Sequence, residues 1–444
     1  MINETIVALS TAPLASAIAI VRLSGNKTYS ILEKSYNKPI KKTLHPQLSI
    51  GKILQDGKMV DEVVLACYFA PKSFTGEDLV EINCHGNLLI IHQIIQLCIL
   101  HGARMAEKGE FTKKAFFHGK LDLIQAESIN DLINANNEKA IDMALQGVVG
   151  TISNQLLPIK EELISLASHI DVNIDYPEYE DIEELTFKSI LPRVIVVLHQ
   201  LDQLLQDAKV GSIIKEGINV AIVGKPNVGK SSLLNAFLNQ DKAIVSEFAG
   251  TTRDVVEGSI QIEGIRFNFF DTAGIHDTKD FIENIGIEKS RQYIEKSDLV
   301  LLVVDGSKPL DEEDEALLKL AKKKKHLVVI NKKDLKTVVQ VEGVLVSSLY
   351  KDIHILKQAM IDQIGIDLKQ YEHLALISNA RQIGLLEKAK ASLDNAQQAC
   401  NHHLPIDIIV IDVKNALMAI QDVLGELAHV DLEDSIFSRF CLGK

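Results

Sequence analysis

Gly224-Lys-Pro-Asn227-Val228-Gly229-Lys230-Ser231 follows the strand-like run Ile218–Val223 and precedes Ser232–Leu238, a segment of helix formers. A match to G-x-x-x-x-G-K-[ST] between a strand and a helix is a phosphate-binding loop. Its glycines let the backbone wrap until successive N–H groups point inward at phosphate oxygens, and the N-terminus of the following helix adds positive potential. Lys230 is then placed to meet the β- and γ-phosphates and Ser231 to offer its hydroxyl to Mg²⁺. Asn227, Val228, Gly229 and Ser232 complete the loop as nucleotide contacts.

Downstream, Asp271-Thr272-Ala273-Gly274 ends the strand Phe267–Phe270. There Asp271 acts on Mg²⁺ from the second shell, and the Gly274 amide reaches the γ-phosphate. Asn331-Lys332-Lys333-Asp334 ends the strand Leu327–Ile330. The Asp334 carboxylate can accept two N–H donors from guanine that adenine does not present, which selects GTP over ATP. Ser347-Ser348, after Val344–Val346, lines the base from the other side. Strands alternating with helices from Ile213 to about Asp367 predict βαβ units and a mostly parallel sheet.

The flanks have a different texture. Thr5 to about His118 mixes β-rich runs (Ala17–Leu23, Val60–Phe69, Asp78–Asn83) with a helix at Leu88–Leu100. From Leu121, apolar residues recur at helical spacing: Ile129, Ile133, then Leu145, Val149, Ile152, Leu156, Ile159 and Leu163. The acidic run Asp175–Glu184, containing Pro177, reads as a loop before a helix at Phe187–Lys209. Helical texture returns at Ser378–Ala399 and Ile406–Ala428. The expected fold is a multidomain α/β plus all-α protein: an N-terminal α/β domain (1–118), a helical domain in two parts (119–212 and 371–444), and a Ras-like P-loop G domain (213–370) inserted between them.

Bulk properties agree. At 444 residues the chain exceeds the roughly 250–300 at which single cores stop growing. Composition is ordinary for globular proteins, with 46% hydrophobic and 24% charged residues, and no stretch is apolar enough to cross a bilayer. The start, Met1-Ile2-Asn3-Glu4, lacks the basic region of a signal peptide, so a cytoplasmic protein is expected. Five scattered cysteines argue against disulfides and structural zinc. His85 beside Cys84, and His402-His403, have no partner ligand at metal spacing and read as structural. A net charge of −13 confines any RNA contact to a local patch, and Lys322–Lys325 reads as a solvated helix end.

Gly250-Thr251-Thr252-Arg253-Asp254 resembles the switch I of a translation-associated GTPase group that includes Era and Der. The outer segments narrow this to the MnmE (TrmE) family: Phe74-Thr-Gly-Glu-Asp78, Cys84-His-Gly86, Gly109-Glu-Phe-Thr-Lys113, Gly119-Lys-Leu-Asp-Leu123, Ala126-Glu127 and Cys441-Leu-Gly-Lys444. The resemblance implies a homodimeric GTP hydrolase acting with an FAD-dependent partner of the MnmG type, in a heterotetramer-like complex. Their substrate would be tRNA, modified at carbon 5 of the wobble uridine with a (carboxymethyl)aminomethyl-type group.

Residue by residue, it implies that Asn227 binds K⁺ together with Ser246, Phe248 and Thr251, in the loop Ser246-Glu247-Phe248-Ala249-Gly250-Thr251 that also contacts GTP. K⁺ would stand where an arginine finger stands in other enzymes. Thr252 matches the second Mg²⁺ ligand. Ras-like enzymes position water with a glutamine just after D-x-x-G; here Ile275 and His276 follow Gly274, and the family's catalytic glutamate matches Glu283. His276 replaces a common family arginine. In the N-terminal domain, which resembles tetrahydrofolate-binding proteins, Arg22, Glu81, Lys120 and Lys444 match the contacts to a 5-formyltetrahydrofolate-type folate. Thr11-Ala-Pro-Leu-Ala-Ser16 has no glycine where the family is often glycine-rich. Cys441 is given a part in the modification chemistry; lysine as last residue argues against reading that tail as a prenylation box. The competing reading is an Era- or Der-like ribosome-assembly GTPase switch. Era carries a basic KH domain and Der a second G domain; this sequence has neither a basic GxxG module nor a second P-loop.

Overall fold

The computed structural model describes residues 4–175, 187–240, 258–271, 291–365, 371, 375–427, 436–438 and 440–444. The acidic loop expected at 175–184 falls outside them beyond Asp175.

Near the N-terminus, β1 (Ile6–Leu9), β2 (Ser16–Ser24), β3 (Gln47–Gln55), β4 (Lys58–Tyr68), β5 (Leu79–Gly86) and β6 (Arg104–Met105) form one sheet in the order β3-β4-β5-β2-β1-β6. Every pairing is antiparallel except β1 with β6. Alternation sorts the two faces. Val21, Leu23, Val63, Leu65, Val80 and Ile82 point one way into a core closed by Ile91, Ile94 and Cys98 of α2 (Leu88–Leu100), where each large side chain contributes roughly 1.5–3 kcal/mol of burial. Asn87 caps α2 by accepting from the Leu89 N–H at 2.9 Å. Arg22, Glu81, Asn83 and His85 fall on the opposite face. α1 (Thr28–Leu32), α3 (Glu110–Phe117) and α4 (Leu123–Asn134) complete this part.

The apolar spacing from Leu145 to Leu163 crosses a break that it does not reveal. α5 (Glu138–Val148) stops, Gly150 takes φ +84°, and α6 (Thr151–Asp175) begins. Leu145 and Val149 are exposed, whereas Ile152, Leu156, Ile159 and Leu163 line the buried stripe of α6. Against α6 packs the last long helix, α12 (Ile406–Leu424), through Ile409, Val413, Ala416 and Ile420. Between them in sequence lie α7 (Phe187–Glu216), which runs past the expected end at Lys209, α8 (Lys230–Gln240), α9 (Glu312–Ala321), α10 (His354–Ile364) and α11 (Ala380–Asn401).

The second sheet has the order β12-β11-β10-β7-β9-β8, from β7 (Ile218–Val223), β8 (Gly258–Ile262), β9 (Ile265–Asp271), β10 (Leu299–Asp305), β11 (His326–Asn331) and β12 (Val344–Leu345). Its pairings are parallel except β8 with β9, an antiparallel hairpin at the edge. Leu299–Val304 is buried throughout, the signature of a parallel strand covered on both faces. Two compact units result: Met1–Asn134, Ala144–Asp202 and Gly384–Lys444 in one, Ala135–Met143 and Gln203–Ile383 in the other.

Candidate functional site

The phosphate loop leaves β7 at Val223. Gly224 has φ +150°, and a Cβ there would lie 2.3 Å from the Val303 carbonyl oxygen of β10, so only glycine fits. Asn227 adopts φ +65°, a region asparagine tolerates better than most residues. Gly229, at φ +100°, faces the Asn331 amide, which a Cβ would meet at 2.2 Å. Lys230 opens α8, and its ammonium donates to the carbonyls of Gly224 (2.9 Å) and Lys225 (2.8 Å), closing the loop on itself. Val228 is buried, Gly229 and Lys230 are half-buried, and Asn227, Ser231 and Ser232 are exposed.

The segment expected to read the base comes from the neighbouring strand ends. Asn331, buried at the end of β11, donates from Nδ2 to the Val228 carbonyl at 2.8 Å and accepts at Oδ1 from the Ser348 N–H at 3.1 Å. Ser347 donates its hydroxyl to Asp334 Oδ1 at 2.6 Å, fixing one carboxylate oxygen and leaving the other to accept. Lys332 takes φ +65° and donates to Asp305 Oδ2 at 2.6 Å. Burial works against ionising Asp305, but hydrogen bonds from Lys332 and Ser307 outweigh it and hold its pKa at about 2. On the other flank Lys225 pairs with Asp311 and Asp314, the capping-box residues of α9. Burial disfavours its charge, yet these carboxylates carry its pKa upward.

The structure therefore brings Val228 and Gly229 to Asn331, Asn331 to Ser348, and Ser347 to Asp334. Asp271 closes β9 with its backbone beside Ile222 of β7. Its side chain, Ser246, Glu247, Phe248, Ala249, Gly250, Thr251, Thr252, Thr272, Ala273, Gly274, His276 and Glu283 lie outside the described residues. Asp305, Asp311 and Asp314 belong to none of the sequence motifs; their only signal in the sequence is acidic residues at a strand end and a helix start. Of the lysine run, Lys324 and Lys325 donate to the backbone carbonyls of Glu295, Ser297 and Ile364.

A second cluster sits on the N-terminal sheet. Arg22 and Glu81 are cross-strand partners on β2 and β5, and the guanidinium donates twice to Glu81 Oε1 (3.1 and 2.8 Å) and once to the Gly443 carbonyl (3.0 Å). Phe74 and Phe111 hold it by their rings at 5.7 and 5.6 Å. Beneath, the buried Lys114 ammonium meets both Glu77 oxygens at 3.0 Å and the Glu4 carbonyl at 2.9 Å, joining the Phe74–Asp78 segment to α3. The tail is pinned: Gly109 N–H donates to the Cys441 carbonyl, Ser10 to that of Gly443, and Gly443, at φ +87°, passes so close to β1 that a Cβ would lie 2.3 Å from the Leu9 carbonyl. Lys444 comes beside Arg22 and Glu81, its pKa lowered by burial and then by the charge of Arg22. Lys120 instead donates to the Pro71 carbonyl at 3.1 Å. Cys441 is exposed, and Cys67, Cys84, Cys98 and Cys400 are buried. The exposed His85 ring is oriented by buried Asp61 at 2.7 Å, and among the described residues no group of three or more His, Cys, Asp or Glu could hold a metal.

Comparison with known proteins covers both clusters. The helical domain of the MnmE family matches residues 123–441, and the N-terminal domain described as that of the GTP-binding protein TrmE matches 5–120. The tRNA modification GTPase MnmE of Levilactobacillus brevis is 40% identical over 99% of this chain and 98% of its own length. The proteins of the same name from Lacticaseibacillus paracasei and Geobacillus thermodenitrificans are 41% and 40% identical, each over 99% of this chain and 98% and 99% of their own lengths. Among solved structures, the FeoB G-domain of Methanococcus jannaschii is 27% identical, covering 34% of this chain and 98% of its own at a TM-score of 0.24. The chain belongs to the MnmE family.

Proposed function

We propose, with membership of the MnmE family as premise, that this chain is a K⁺-stimulated GTPase that works with an FAD-dependent MnmG-type partner to place a (carboxymethyl)aminomethyl-type group on carbon 5 of the wobble uridine of certain tRNAs. The observation that carries the nucleotide half is the Asn331 amide, bonded at once to the phosphate loop and to the serine pair beside Asp334. Triphosphate recognition and guanine recognition thereby depend on one another.

In this reading the loop amides and Lys230 bind the phosphates, Asp334 accepts from the guanine N–H groups, and Glu283 orients the attacking water. The residues present suit Mg²⁺: Ser231 carries its hydroxyl in the first turn of α8, and the backbone of Asp271 pairs with Ile222, one residue before the end of β7. Bound there with Thr252, Mg²⁺ would neutralise charge on the β- and γ-phosphates. K⁺ would add positive charge at Asn227, an exposed residue of the phosphate loop at φ +65°, with Ser246, Phe248 and Thr251 as the remaining donors.

Arg22, Glu81 and Lys444 are the proposed folate contacts, since a carboxylate can accept from pterin N–H groups and cations can meet folate carboxylates. Lys120, held at Pro71, would serve from the rim, and Cys441 is exposed and near enough to Lys444 to influence its charge. A homodimer through this domain is supported by Ile18, Leu48 and Ile50, large apolar side chains exposed on sheet strands. Among the described residues no helix is long and apolar enough to cross a membrane; work on tRNA in the cytoplasm is part of the proposal.

Two experiments test the two halves. Nucleoside analysis of tRNA from a strain lacking the gene should show an unmodified wobble uridine restored by this chain; full modification without it rejects the tRNA role. GTP turnover should be faster in KCl than in NaCl, and equal rates reject K⁺ stimulation.

A further inference from the structure

Resting on the nucleotide-site reading above, we propose that the segment joining β10 to α9 is a carboxylate clamp that positions both halves of the nucleotide cradle, with Asp305 and Asp314 as positioning residues. Asp305 ends β10 and receives the ammonium of Lys332, from the base-reading segment, at 2.6 Å. Asp314, in the first turn of α9, receives the ammonium of Lys225, from the phosphate loop, at 2.7 Å. One connection of few residues thus grips a lysine from each side of the cradle. Its backbone adds to the grip: Gly306 N–H donates to the Asn331 carbonyl at 2.9 Å, and the Gly306 carbonyl accepts from Val338 at 2.8 Å.

Burial decides which carboxylates matter. The side chains of Asp305 and Asp314 are 11% and 6% exposed, that of Asp311 is 61% exposed. An exposed pair such as Lys225–Asp311 contributes little, whereas removing one member of a desolvated pair leaves an uncompensated charge. Asp314 Oδ1 is buried without a hydrogen-bond partner among the described residues, so the lysine is the main compensation for that carboxylate. Without the clamp, Lys225 and Lys332 would be drawn by a bound polyphosphate into positions that disturb the carbonyls they carry; the Lys225 carbonyl is itself a partner of Lys230. With it, both cations sit at fixed places before nucleotide arrives, and less ordering accompanies binding.

Asp305→Asn and Asp314→Asn keep shape and remove charge. In the full-length protein, each should weaken binding of a fluorescent GDP and a fluorescent non-hydrolysable GTP analogue alike, by about tenfold, raise the KM for GTP by a similar factor and leave kcat within about twofold, the split expected for uniform binding. Lys332→Met and Lys225→Met give the partner arms should an aspartate variant not fold. The double variant Asp305→Asn/Lys332→Met should lose less affinity than the sum of its singles. Wild-type affinity and KM in both aspartate variants, or strict additivity in the cycle, overturns the clamp while leaving nucleotide binding intact. A wild-type protein that binds no guanine nucleotide overturns the underlying site reading instead.

Discussion

Asn331 Nδ2 reaches the Val228 carbonyl at 2.8 Å across 103 residues of chain, while its Oδ1 accepts from Ser348. The side chain is buried, so alanine at this position strands two backbone groups and unties the phosphate loop from the base pocket. With about 1–3 kcal/mol for such unsatisfied groups, Asn331→Ala should weaken GDP about ten- to a hundredfold by calorimetry. Unchanged affinity would show that the two loops do not depend on this link.

Glycine substitutions separate two kinds of site. Gly224→Ala drives a Cβ to 2.3 Å from the Val303 carbonyl at φ +150°, and should abolish saturable nucleotide binding and lower the melting temperature. Gly384, inside α11, has nothing within 4 Å of its Cβ direction, and Gly384→Ala should stabilise by about 0.5–1 kcal/mol in urea titration. Equal effects would mean the loop geometry is not what excludes a side chain.

Base choice is predicted to reside in Asp334. Its amide counterpart presents a donor where guanine also presents one, so Asp334→Asn should reduce GTP affinity about a hundredfold and favour xanthosine triphosphate, whose ring offers a carbonyl at that place. Ser347→Ala, which frees Asp334 Oδ1, should cost about 1 kcal/mol for GTP without changing the preferred base. Competition binding with the three nucleotides distinguishes these outcomes.

Much of the fold is legible in the amino-acid sequence. Ile218–Val223 and Leu88–Leu100 coincide with strand and helix because a glycine-led turn bounds the first and Asn87 with the glycine at 102 bounds the second. The edge strand β8 escaped because Gly258-Ser-Ile-Gln-Ile262 is too short and mixed to stand out, and its pairing with β9 makes the sheet's one antiparallel join among the described strands. The break at Gly150 was hidden because apolar spacing happened to continue through it. At the candidate site, local motifs are enough to single out Lys230, Asp334 and Ser347 as candidates. The partners of Lys225 and Lys332, and the Phe74 and Phe111 rings about Arg22, come from distant segments, and no local pattern encodes a pairing made only on folding.

Thiol chemistry offers a check on the second cluster. Alkylation needs the thiolate, and burial pushes Cys67 and Cys84 up to about 11 and Cys98 up to about 12, so all three are protonated at pH 8. Cys400 is buried with its pKa also raised by burial, and Cys441 is exposed. Iodoacetamide at pH 8 should add one label to the native protein, at Cys441, and five after unfolding. Rapid labelling of Cys84 or Cys67 in the native state would contradict the packing of β4 and β5.

The most direct test is equilibrium titration of the purified chain with fluorescent guanine and adenine nucleotides in magnesium buffer. GDP and GTP should bind saturably and at least a hundredfold tighter than ADP and ATP, and Gly224→Ala should abolish that binding. Equal affinity for the two bases, or no saturation with either, would contradict it.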